Sequence, residues 1–103
     1  MMPVHARAVA RRDGRAIVAH YRTEADSKVA QSFVGALNDA LQVLAEHPLA
    51  GSSRLGVLAG RPDVRAWPIK NFPHLIIYRA LPLRVDVLRI LHCARDIPAS
   101  LRE

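Results

Sequence analysis

The stretch FPHLIIYRALPLRVDVLRILHCARD, residues 72–96, decides the fold. Residues 75–78 and 85–91 are apolar runs rich in β-branched and aromatic side chains, and each predicts a strand. Pro82 has no N–H to give to a ladder, so the turn belongs in residues 80–83. Strict alternation in the second strand puts Leu88, Ile90 and His92 on one face and Val87, Arg89 and Leu91 on the other. A strand apolar on both faces is expected inside a sheet rather than at its edge. Arg79, Arg89, His92 and Arg95 lie on or just beyond these strands, which is where chemistry or recognition is expected.

Working back toward the N-terminus, residues 71–74 (NFPH) read as a turn. Residues 64–70 (VRAWPIK) form a further strand, and Pro68 assigns it to an edge or a bulge. Residues 48–62 (PLAGSSRLGVLAGRP) read as a loop, with glycines and serines throughout. They lack the lysine and the spacing of a phosphate-binding loop.

Before that loop the periodicity is helical. Val29, Phe33, Leu37, Leu41 and Leu44 mark the buried face of a helix that Pro48 terminates near His47. Thr23 is its expected cap, with Glu24 and Asp26 favoured at the positive end of the dipole. A first helix spans residues 7–22, with Ala10, Gly14, Ile17 and Tyr21 on its packed face and Val9 and Val18 widening it. Gly14 either weakens this helix or lets a second helix approach closely. Arg7, Arg11, Arg15 and Arg22 form a stripe on another face: a solvated surface, or a contact for an acidic partner. Residues 1–6 suggest a short first strand, and Pro98 invites a last helical turn. The sum is an α+β fold: an N-terminal two-helix hairpin packed on a small, mainly antiparallel β-sheet, in one domain over residues 1–103.

Composition narrows the function classes. Half of the residues are hydrophobic, which suits a packed core and not wholesale disorder. No apolar run reaches the roughly 18 residues of a membrane span, and no apolar core follows the N-terminal charges as in a signal peptide. Cys93 is the only cysteine, which fits a reducing cytoplasm. Net charge +6 calls for an anionic partner, either nucleic acid or an acidic protein segment.

The histidines His5, His20, His47, His74 and His92 have no metal-ligand spacing, and no cofactor motif is present. Ser52 and Ser53 have no triad partners in view. The remaining chemical candidates are Lys70, Tyr78, Arg79, Arg89, His92 and Arg95. RNA cleavage needs a base for the 2′-OH, an acid for the leaving oxygen and cations on the phosphate. His92 and Arg95 could supply part of that set. Alternatively His92 is a strand-end histidine with a satisfied hydrogen bond, and Arg95 pairs with Asp96.

Three segments in matching order, across residues 8–98, resemble the RelE/ParE superfamily of bacterial toxin–antitoxin toxins, and more closely its ParE branch. They are LNDALQVLAEHPLAG (37–51), RPDVRAWPIKNFPHLIIYRA (61–80) and VDVLRILHCARD (85–96), the last being the most specific. The resemblance implies a helical hairpin on a small antiparallel sheet and neutralisation by a cognate ParD-like antitoxin in a hetero-oligomeric complex. It implies DNA contact only through that antitoxin, and DNA gyrase as the target. The RelE branch implies instead a ribosome-dependent mRNA endoribonuclease, with Arg95, His92 and Lys70 as its residues here. Against that branch, Leu75 stands where a strand arginine would be and Leu101 where a C-terminal tyrosine would be. The surface candidates for antitoxin or target contact are Arg7, Arg11, Arg15, Arg22, Arg79, Arg89 and Arg95.

Overall fold

The chain folds in the order β1 (Val4–Ala6), α1 (Ala8–Glu24), α2 (Ser27–Glu46), α3 (Arg54–Leu58), β2 (Val64–Pro68), β3 (His74–Ala80), β4 (Val85–His92) and α4 (Ile97–Arg102). The structure, a computed structural model, describes residues 1–102, Arg102 by its backbone alone. The sheet order is β1-β4-β3-β2. β1 runs parallel to β4, and the β4–β3 and β3–β2 pairs are antiparallel. The apolar strand β4 is thus internal, as its composition requires, and the proline-bearing β2 is an edge. Helices on a mixed sheet with a short C-terminal helix make this an α+β fold.

The expected alternation in β4 fails, for a local reason. Ile77 pairs with Arg89, but the next residue, Tyr78, pairs with Val87. Leu88 is therefore an extra residue, a β-bulge that resets the inside–outside alternation. Val87 joins Ile90 in the core beneath α1 and α2, while Leu88 joins Leu91 in a second core. That second core, with Val64, Ala66, Ile77, Ile97 and Leu101, lies on the opposite face and is closed by α3 and α4.

The larger core gathers Ala10, Phe33, Leu44, Ile69, Ile76, Tyr78, Val85 and Val87 between the sheet and the hairpin. Each large side chain fully buried there contributes about 1.5–3 kcal/mol. The helical hairpin has a different joint from the expected one. Thr23 is inside α1; Asp26, in extended conformation, is the cap of α2 and accepts the Val29 N–H at 2.9 Å. Thr23 followed by Glu24 continues a helix at little cost, whereas Asp26 has both the side-chain acceptor and the backbone angles of a cap.

The loop over residues 48–62 contains α3, which glycine composition hid. Leu55 packs on the second core, and Gly56 lets the helix meet the sheet: a Cβ there would lie 2.2 Å from the Val64 carbonyl oxygen. Lys70 lies beyond β2, in a turn where Asn71 takes a left-handed φ of 69°. Among the described residues no helix is long and apolar enough to cross a membrane.

Candidate functional site

α1 crosses the sheet over β4, and the space between α1, α2 and the sheet is a groove of about 560 Å³. Its floor is Ala6, Ala10, Gly14, Val87 and Ile90, and its far wall is Leu37 and Leu41 of α2. α1 presents only alanine and glycine, Ala10 and Gly14, to this floor, and Leu37 and Leu41 across from them stay partly exposed. Arg11, Arg15 and Arg22 line the same groove. Their spacings of four and seven residues stack them on one side of α1. A smaller groove shares Val18 and Arg22 and extends the surface toward Ala30 and Val34, and Val34 is 40% exposed. The result is an apolar trough with a cationic rim.

The structure divides the arginine candidates. Arg11, Arg15 and Arg22 belong to the trough; Arg11 also donates to the Ala6 carbonyl. Arg7 precedes α1 and pairs with the buried Asp86 at 3.0 Å, so it anchors the β1–α1 junction and is not part of the helical stripe. Arg89 donates from Nε and Nη2 to Asp13 at 2.7 and 3.1 Å. Its place in that internal pair makes it a tie between β4 and α1, and not an open contact residue. Arg79 sits 2.9 Å from Asp63 in an ion pair without hydrogen-bond alignment. Arg95 is exposed after β4. Asp96, its expected partner, instead caps α4 through the Ala99 N–H at 3.2 Å.

The candidates for RNA chemistry have different local settings. Lys70 lines a separate hollow of about 730 Å³ between α2 and the β2–β3 connection, with Asp39, Trp67 and Asn71. His92 Nδ1 accepts the Ala94 N–H at 3.0 Å, so one ring nitrogen is occupied by the turn after β4. Tyr78 is fully buried: its hydroxyl donates to the Pro48 carbonyl and accepts from the Gly51 N–H, each at 2.8 Å. Burial pushes the Tyr78 phenol up, against smaller lowering effects from Gly51 and Arg65. It is a structural clasp on the segment after α2.

His74 is also buried on the helix side of the sheet. Its ring packs at 5.5 Å from Phe33, 6.0 Å from Tyr21 and 5.2 Å from His92. Burial first, then His92 and His20, hold its pKa below the usual histidine value. Among the described residues no group of three or more His, Cys, Asp or Glu side chains is placed to hold a metal ion.

Compared with known families, residues 5–97 match the family described as "ParE toxin of type II toxin-antitoxin system, parDE". The chain belongs to the ParE toxin family. Among solved structures it is similar to a chain of "Chromosomal ParDE TA system from P. aeruginosa", with 23% identity and a TM-score of 0.74. That likeness covers 89% of this chain and 96% of the other, and it supports the shared fold. Curated proteins give no match.

For this ParE-family toxin, the sequence shows the arginine rim and the helix-borne part of the floor at Ala10 and Gly14, but not how Ala6 and Val87 complete it. Ala6, Ala10, Gly14 and the bulge-shifted Val87 meet only through the parallel β1–β4 pair and the crossing of α1. Asp13 was missed as well. Its helical spacing from Ala10 and Ile17, residues of the packed face, is the signal in the sequence that could have found it.

Proposed function

We propose that this ParE-family toxin acts by protein–protein contact on DNA gyrase and is held inactive by a cognate antitoxin bound in the arginine-rimmed trough. The trough carries the antitoxin half of this reading. Apolar side chains at Val18, Leu37 and Leu41 offer affinity through burial, and Arg11, Arg15 and Arg22 offer charge complementarity to an acidic segment. With a net charge of +6, the chain associates fastest with an acidic partner. Contact with DNA runs through the antitoxin, the toxin works in the cytoplasm, and no cofactor takes part.

Family membership supports the gyrase half. Non-catalytic action is further supported by the engagement of His92 Nδ1 and the Tyr78 hydroxyl in structural hydrogen bonds.

Induced expression without antitoxin tests the reading. The expected outcome is arrested growth, filamentation and a DNA-damage response, with the purified protein inhibiting gyrase supercoiling. Normal replication with blocked translation, and codon-registered mRNA cuts that depend on Arg95, would establish the ribonuclease instead.

A further inference from the structure

α3 closes the second core with one side of a short helix and turns its other side out. Leu55 packs on that core, Gly56 and Ala59 are buried, and Val57 and Leu58 are each 58% exposed. Single exposed apolar residues are ordinary, but these two are adjacent and lie between two arginines. Arg54 opens the helix. Gly60, at φ 73°, ends it, and the Arg61 N–H bonds back to the Gly56 carbonyl at 2.7 Å, which sets Arg61 beside the last turn.

Positive charge prevails around α3. Residues 48–80 hold five basic residues and one acid, Asp63, which Arg79 holds at 2.9 Å. Arg65 donates to the Leu49 and Gly51 carbonyls. Among the described residues the Arg54 and Arg61 guanidinium groups have no hydrogen bond or ion pair. The trough lies on the other face of the sheet, against the larger core. A variant on the outer side of α3 can therefore be read separately from antitoxin binding.

We propose that the outer side of α3, with Arg54, Val57, Leu58 and Arg61, is the surface through which this toxin contacts gyrase, and that it seats on an acidic patch of that protein with an apolar centre. Val57 and Leu58 lose water on contact and supply the affinity, and the two arginines supply the match to carboxylates. Duplex DNA is the poorer occupant, because two aliphatic side chains gain nothing against a phosphate backbone. A second copy of this chain is poorer as well, since α3 against α3 brings like-charged guanidinium groups together. The inference rests on the gyrase reading above and names the face that carries it.

The test uses the full chain, purified gyrase and the antitoxin encoded beside the toxin. Val57→Ser with Leu58→Ser raises the toxin concentration needed to inhibit supercoiling at least tenfold, and Arg54→Glu with Arg61→Glu does the same. Both variants keep the parent's antitoxin affinity and unfolding midpoint, because all four side chains lie at the surface away from the trough. Inhibition by both variants at the parent's concentration overturns the assignment of α3 and leaves the gyrase reading standing. Loss in the arginine variant alone, together with its loss of binding to a duplex DNA fragment that the parent binds, overturns it in favour of a phosphate contact. Loss of antitoxin binding alongside inhibition makes the effect one of folding and also overturns it. A parent that leaves supercoiling untouched overturns the gyrase reading itself.

Discussion

Asp13 accepts the backbone N–H of Ile90 at 3.0 Å. β1 ends at Ala6, opposite Val87, so the outer side of β4 beyond that point has no strand to pair with. A carboxylate from α1 takes the place of the missing strand and binds Arg89 with the same oxygen, at 2.7 Å. One side chain thus sets the crossing of α1 over the sheet, and with it the shape of the trough.

Asp13→Ala is accordingly expected to cost about 2–3 kcal/mol, because it leaves the Ile90 N–H without its acceptor and breaks a partly buried ion pair. Urea unfolding measures this. A loss below 0.5 kcal/mol (about the effect of an ordinary surface substitution) would show that α1 is placed by packing alone.

Tyr78→Phe keeps the ring in the core and removes the hydroxyl that joins Pro48 to Gly51. The expected loss is about 1–3 kcal/mol, since the buried Gly51 N–H loses the acceptor it has in the Tyr78 hydroxyl. Thermal unfolding of the variant, with the exchange rate of the Gly51 amide, reads both halves of this expectation.

Two glycines should respond in opposite directions. A Cβ at Gly56 would collide with the carbonyl oxygens of Val64 and Arg61, so Gly56→Ala should destabilise by about 1–3 kcal/mol or more. A Cβ at Gly14 would lie 3.7 Å from Ile90 Cδ1, an ordinary contact. Gly14→Ala should therefore gain about 0.5–1 kcal/mol of helix stability. Denaturant midpoints of the two variants against the parent decide the pair.

His74 should make stability depend on pH. Its folded pKa is lowered by burial, and by His92 of β4 and His20 of α1, while Tyr21 and Phe33 pack its ring without compensating charge. The unfolded chain therefore binds more protons than the folded one once the pH falls below the ordinary histidine value of 6.5. The stabilisation is present above that value and is lost as the pH drops through it toward the folded pKa. Unfolding free energies between pH 7.5 and 5 should decline for the parent and decline less for His74→Phe. Equal slopes would assign the dependence to other groups.

Arg11→Glu with Arg15→Glu should slow association with the antitoxin about tenfold or more at low salt and flatten the salt dependence. Exposed arginine pairs hold only ~0–1 kcal/mol each, so the dissociation rate should change less. Stopped-flow mixing at two ionic strengths measures both rates. Rates and salt slope equal to the parent's would make the stripe a solvated face.

Local chemistry made much of the fold legible. The apolar runs at residues 75–78 and 85–91, the helical periodicity of Phe33, Leu37, Leu41 and Leu44, and the prolines at 48, 68 and 82 determined the helical hairpin, the internal strand and the edge strand, because each depends on near neighbours in sequence. The arginine rim was legible for the same reason, since helical spacing places Arg11 and Arg15 together. Contacts between distant segments decided the rest. The bulge at Leu88 comes from the register of β4 against β3, and it moved Val87 onto the face of Ile90. α3 is seated where Leu55 reaches the second core with Leu88, Leu91 and Ile97. Arg7 and Arg89, indistinguishable in sequence from their neighbours, became internal ties once the fold brought them to Asp86 and Asp13, 79 and 76 residues away. Only the packed chain decides which arginine faces a carboxylate and which faces a partner, because a charge's role is set by what lies across the gap and not by its own side chain.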